Sequence, residues 1–269
     1  MPHLKTGSGI SWHYEAEGEG EDLLFIHGWG VDRRIWRQQL KYFSQFYRVI
    51  SVDLPGHGKS EWIKMDLQNM AEDLMEILMH VRVEKVSVVG SSIGGLLALK
   101  LYQFFPQIIK KMIFVGSMPK FAKSKDYPHG LDIERMRKLG GQLDTNYPAI
   151  INIFFRSLFT KEERKSRRFK WLQKFRQFDD LPSRPALIQY LDIMEQEDLR
   201  DVLKAIKVPV QFINGREDEI CRAETVEFLK NSCPNAKLEY FEQCGHFPFL
   251  SKPYEFNETL EKFLKDTTL

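Results

Sequence analysis

Cysteine is scarce: the chain has three, Cys221, Cys233 and Cys244, an odd number for a disulfide framework. Reduced thiols and a cytoplasmic location are the expectation, and the spacing is not that of a zinc site. Long apolar runs are missing, since none approaches the roughly 18 residues that a membrane span needs. Met1 to Ser11 holds no apolar stretch behind a basic start, so no secretory leader is expected. Nor is charge of one sign in excess. The 39 Lys and Arg face 37 Asp and Glu, a net of +2, which gives no reason to expect nucleic acid as a partner. The seven histidines form no H-E-x-x-H pair, so no catalytic metal is expected. What is present is ordinary globular composition: 269 residues, 43% hydrophobic, 28% charged, mean hydropathy −0.37. That length suggests about one or two domains at roughly 150 residues each.

Periodicity supplies the outline. Ile10, Trp12, Tyr14 and Ala16 alternate with polar residues, the pattern of a strand with one buried face. Leu23–Ile26 is a short apolar run that reads as a buried strand, and Val49–Val52, Val86–Val89, Met112–Val115, Val208–Ile213 and Lys237–Phe241 read as further strands. Helical spacing follows Asp32 to about Phe43 and follows Asp66 through Val81. It recurs over Ile93–Phe105, about Ala223–Lys230 and Glu255–Leu264. Strands and helices alternate at both ends, which predicts an α/β fold: a mostly parallel central sheet flanked by helices. The alternation lapses between about Ser117 and Glu197, where the patterns are helical only. One core, residues 1–117 and 198–269, with a helical cap inserted over 118–197, is the simplest organisation. The cap would sit on the carboxyl edge of the sheet, where ligands bind in open parallel sheets.

The chemistry gathers at three strand ends. Gly90-Ser91-Ser92-Ile93-Gly94 follows one strand and opens a helix, the setting in which G-x-S-x-G exposes a nucleophilic serine, here Ser92. A serine hydroxyl needs a base within hydrogen-bond reach and a third group to orient that base. Asn214 to Asp218 and Gln243 to Phe247 each follow a strand and supply an acid and a histidine, in the chain order serine, acid, histidine. Of Glu217, Asp218 and Glu219, Asp218 is favoured by its place three residues after Gly215 and before the apolar Ile220. His246 is the expected base. The oxyanion of an acyl-transfer intermediate needs backbone donors, assigned here to the N–H groups of Trp29 and Ile93. The Trp29 ring is a candidate pocket wall, and His27 is read as support for the loop. Two partial motifs fail. A P-loop ending in Gly58-Lys59-Ser60 would need glycine where Asp53 stands, and a dinucleotide fingerprint from Gly28 would need glycine at Arg33. No cofactor is expected.

These residues together resemble the α/β-hydrolase superfamily. The resemblance is carried by His27-Gly28-Trp29-Gly30, Asp53-Leu54-Pro55-Gly56-His57-Gly58-Lys59-Ser60, the Ser92 turn, Gly215 to Asp218 and Gly245-His246. Within the superfamily the chain is most similar to the biotin-synthesis carboxylesterases, which demethylate pimeloyl-acyl-carrier-protein methyl ester. Trp36, Val52 to Gly56 and the stretch from Asp198-Leu199-Arg200 to Val208-Pro209 support this. The resemblance implies a serine carboxylesterase acting on a methyl ester of a medium acyl chain through an acyl-serine intermediate. C–C bond hydrolysis, cofactor-free haloperoxidase-like chemistry and a ligand receptor on the same fold remain alternatives. Those esterases carry a bulky aromatic before the nucleophile, so Ser91 here would widen or reshape the acyl pocket. Phe154 or Phe155 would line that pocket from the cap, plain cap packing being the alternative.

Charge is unevenly placed. Lys120 to Pro185 holds 16 Lys and Arg against 8 Asp and Glu, and Arg156 to Arg176 holds nine against two. A basic run is either a solvated face or a docking surface for an acidic partner. The resemblance favours docking of an acidic acyl carrier protein, with Arg156, Arg164, Arg167, Arg168 and Lys170 as the candidate contacts.

Overall fold

The computed structural model describes residues 2–175, 181–233 and 236–267. The alternating N-terminal segment forms β2 (Ser11–Glu17), preceded by the short β1 (His3–Lys5). The later strand segments form β3 (Glu21–Ile26), β4 (Tyr47–Val52), β5 (Val86–Ser91), β6 (Ile109–Val115), β7 (Val210–Gly215) and β8 (Ala236–Phe241). They make one sheet in the order β1-β2-β4-β3-β5-β6-β7-β8. The β1–β2 and β2–β4 pairs are antiparallel, and every other pair is parallel. Parallel strands need both faces covered, and the continuous apolar runs provide for that. Leu24 and Ile26 of β3 face one core layer while Leu23 and Phe25 face the other.

Asp32 caps a 3₁₀ turn (Arg33–Trp36) by accepting the Arg34 N–H at 2.9 Å, and α1 (Arg37–Phe43) continues from it. Asp66 caps α2 (Leu67–His80) through the Asn69 N–H at 2.8 Å. Such caps satisfy donors that the first helical turn leaves free. With α3 (Ile93–Phe104), α2 covers one face of the sheet. Between β6 and β7 come α4 (Ile133–Asn146), α5 (Ala149–Ser157), α6 (Lys161–Lys165), α7 (Arg167–Phe175), α8 (Arg184–Gln196) and α9 (Arg200–Lys204). The only β pairing described in this stretch is two isolated bridges, Ala122 with Leu131 and Ser124 with Tyr127. After β7 follow α10 (Ala223–Ser232), α11 (Pro248–Ser251) and α12 (Pro253–Lys265). Phe256 and Leu260 of α12 join Phe43 of α1 in the second layer. Among the described residues no helix is long and apolar enough to cross a membrane, and the three cysteines are free and buried.

Candidate active site

Ser92 stands between β5 and α3 with φ 53° and ψ −124°. A non-glycine residue held there costs about 1–3 kcal/mol, a strain that persists only where its surroundings over-determine it. Here they do. The Ser92 N–H donates to Val115 O at 3.0 Å, and the Ser117 hydroxyl donates to Ser92 O at 2.6 Å. The flanking glycines are there for space. A Cβ on Gly90 would lie 2.6 Å from Gly94 O, and one on Gly94 would lie 2.5 Å from the carbonyl oxygens of Ile26 and His27. The helix packs onto β3 at a distance that no side chain permits.

Asp218 follows β7 and His246 follows β8. His246 Nδ1 lies 2.8 Å from Asp218 Oδ2, with both side chains almost wholly buried. The other carboxylate oxygen accepts the N–H groups of Ile220 (2.8 Å) and Cys221 (3.1 Å). The acid is thus fixed in orientation and its charge met by donors on both oxygens. Its neighbours Glu217 and Glu219 make no such contact with the histidine among the described residues.

The segment after β3 passes against the serine: a Cβ on Gly28 would stand 3.1 Å from Ser92 Cβ. Two neutral histidines hold this segment. Leu54 N–H donates to His27 Nε2 (2.9 Å), leaving the ring proton on Nδ1 to donate to Gly28 O (2.8 Å). Gly30 N–H donates to His57 Nε2 (3.2 Å), and His57 Nδ1–H donates to Pro55 O (3.2 Å). Burial pushes both pKa values down, that of His57 to about 3. The loop bearing His57 is anchored in turn by Asp53, which accepts the N–H groups of Arg33 (2.9 Å) and Lys59 (3.1 Å) beside His13 Nδ1 (2.9 Å). Burial works to raise the Asp53 pKa, but these hydrogen bonds hold it below the usual carboxylate range.

Ser92 and His246 open onto one cavity of about 360 Å³, walled mainly by apolar side chains. Trp29 is a wall; its indole N–H donates to Leu187 O (2.9 Å) and its ring meets Phe154 edge-on at 4.7 Å. Of the two cap phenylalanines, Phe154 lines the cavity and Phe155 does not. Phe155 instead joins an aromatic cluster with Phe159, Phe169 and Phe247. Ser91, wholly buried at the end of β5, is not among the residues that line the cavity.

The basic run divides. Arg168 is no free docking cation: it is part-buried, donates to Leu250 O and reaches Gln38 Oε1 at 2.8 Å, and burial lowers its pKa. Arg156 lies over the Phe169 ring and Arg164 donates to Arg156 O (3.2 Å). Arg167 and Lys170 are exposed on α7. Arg176, Asp179 and Asp180 lie outside the described residues, as does the Lys174 side chain. The cations at the cavity itself are others, Arg135 and Lys138, exposed on α4 with Gln142 and Leu139 on the same face. Their i, i+3, i+4, i+7 spacing was the available signal.

The alpha/beta hydrolase fold pattern matches residues 23–253, and the chain belongs to that family. A curated relative from Nitrosomonas europaea, named pimeloyl-[acyl-carrier protein] methyl ester esterase, is 32% identical over 246 residues, covering 91% of this chain and 96% of the relative. An esterase from Exiguobacterium antarcticum superposes with a TM-score of 0.88 at 27% identity, over 98% of this chain and 99% of that one. A bromoperoxidase from Bacillus anthracis does so with 0.88 at 25%, over 98% and 100%. Family and relatives make the chain a hydrolase of the esterase kind.

The histidine clamp has a pH signature. An unfolded histidine titrates near pH 6.5. Between there and about pH 3 the unfolded chain takes up a proton that folded His57 refuses. Stability is therefore complete above the unfolded value and falls with acid, by about 1.4 kcal/mol per pH unit for one such group. Urea unfolding at pH 7 and pH 5 should show a smaller acid loss in His57→Gln than in the parent. An identical loss in both would mean His57 is not held neutral.

Proposed function

We propose that the chain is a serine carboxylesterase in which Asp218, His246 and Ser92 act as a relay. The observation that carries this is His246, paired to buried Asp218 at 2.8 Å, lining the same cavity as a serine held at a strained strand-to-helix turn. His246 takes the Ser92 proton through Nε2 as Oγ attacks the ester carbonyl. Asp218 keeps the ring proton on Nδ1 and stabilises the imidazolium that forms. The oxyanion is held by the N–H groups of Trp29 and Ile93. Ile93 is the first residue of α3, so the helix ladder does not consume its N–H. The imidazolium then protonates the departing alkoxide, and the alcohol leaves. A water gives its proton to His246, attacks the acyl-serine and releases the acid.

The substrate is a methyl ester of a medium-length acyl chain. A volume of about 360 Å³ falls at the lower end of ligand pockets, roughly 300–1,000 Å³, and suits a flexible chain better than a polymer. Relatives named for a carrier-bound methyl ester support a carrier-linked substrate. The chain would enter past Arg135 and Lys138, while Arg156, Arg164, Arg167 and Lys170 extend the basic surface toward α7. The likeness to a bromoperoxidase keeps haloperoxidase-like chemistry as the second reading.

Ser92→Ala should abolish steady turnover of a free methyl ester, since losing the nucleophile of such a relay costs about 10⁶ in kcat. Full activity in that variant would remove Ser92 from the mechanism, and halide oxidation outrunning ester cleavage in the parent would favour the second reading. Reversing both rim charges, Arg135→Glu with Lys138→Glu, should raise KM for a carrier-linked ester and leave a short free ester untouched. The difference should shrink with added salt, because exposed charges are screened within about 8–10 Å at moderate ionic strength. Equal effects on both esters would refute carrier docking at that rim.

A further inference from the structure

The two N–H groups that lead into the histidine side chain both donate to the helical segment between β6 and β7. His246 N–H donates to Leu158 O at 2.8 Å. Gly245 N–H donates to Glu163 Oε2 at 3.0 Å. The same carboxylate oxygen accepts the Thr160 N–H at 2.6 Å while the Thr160 hydroxyl accepts the Glu163 N–H at 3.0 Å, a closed box at the start of α6. Gly245 makes the approach possible: a Cβ there would lie 2.5 Å from Leu158 O and 3.2 Å from Glu163 Oε2. From the core side the same Cys244–Gly245 peptide group is held at its carbonyl end, where Glu217 N–H donates to Cys244 O at 3.0 Å, so its plane is set by the core and by Glu163 together.

We propose that Glu163 is a positioning residue for His246. This rests on the reading of His246 as the base for Ser92. The peptide planes on either side of Gly245 fix the direction in which the His246 Cα–Cβ bond leaves the backbone. Asp218 holds only Nδ1, so the aim of Nε2 toward Ser92 depends on both restraints. The carboxylate ties one plane to the cap, and Leu158, which supplies the other tie, also lines the substrate cavity. The cap therefore does more than roof the cavity. Its α5–α6 junction sets the geometry of the base.

The test separates this role from helix capping. Glu163→Ala should lower kcat for a short free methyl ester by about 10- to 100-fold, the scale of a displacement near 1 Å, with KM unchanged. It should slow labelling of Ser92 by a fluorophosphonate in parallel. Glu163→Gln keeps both the capping pattern and a carbonyl acceptor for Gly245 N–H, and should recover most of the loss. Thr160→Ala breaks the box yet leaves the Gly245 contact, so it should lower the melting temperature without lowering kcat. A Glu163→Ala enzyme with parental kcat, or a Thr160→Ala enzyme with the same kcat loss, would overturn the proposal. So would a loss confined to KM. Failure of the underlying reading looks different: Ser92→Ala would still turn over, whatever the Glu163 variants do.

Discussion

The 2.8 Å contact between Asp218 and His246 is the interaction on which the rest depends. A serine hydroxyl is inert near neutral pH, and a histidine whose ring is free to turn is a poor base for it. Burying the pair removes competing water, and the donors on both Asp218 oxygens keep the carboxylate from rotating. Each residue comes from a different strand end, β5, β7 and β8, and the parallel sheet brings those ends to one edge. The fold is in this sense a jig for three side chains that lie far apart in the chain.

A second layer of constraint surrounds the first. Asp53 anchors the loop after β4, that loop carries His57, and His57 with His27 fixes the segment that passes beside Ser92. The α5–α6 junction holds the histidine loop through Leu158 and Glu163. Both devices place backbone rather than side chain. That suits acyl transfer, where the oxyanion donors are amides and the base must be aimed to a fraction of an ångström.

Much of this was legible in the sequence, for reasons that differ by element. The inner parallel strands such as β5 and β7 are legible because both of their faces are buried, while the edge strand β8 keeps Lys237 and Glu239 exposed. Ser92 stood out as a candidate because a strained turn demands glycine around it, and Asp218 because it follows a strand end, three residues after Gly215. β1 escaped notice, since three residues carry no periodicity. Phe154 and Phe155 could not be separated by pattern alone, since neighbours on a helix point about 100° apart and the cavity's bearing is a tertiary fact. The basic run showed where charge was dense but not which cations face the cavity. Arg168 is consumed by Leu250 and Gln38, while Arg135 and Lys138 reach the mouth from a less basic helix. Glu163 was invisible for the same reason, because its partner lies 82 residues away.

The central claim is that Ser92 is the atom donor to the acyl intermediate, and trapping that intermediate addresses it directly. The enzyme would be mixed with a slowly deacylating ester, quenched in acid, digested and mapped by mass spectrometry. The account predicts an acyl mass on the peptide carrying Ser92, and none when His246 is replaced by alanine. A covalent adduct on any other residue, or steady hydrolysis with no adduct at Ser92 under conditions that trap acyl-enzymes, would contradict it.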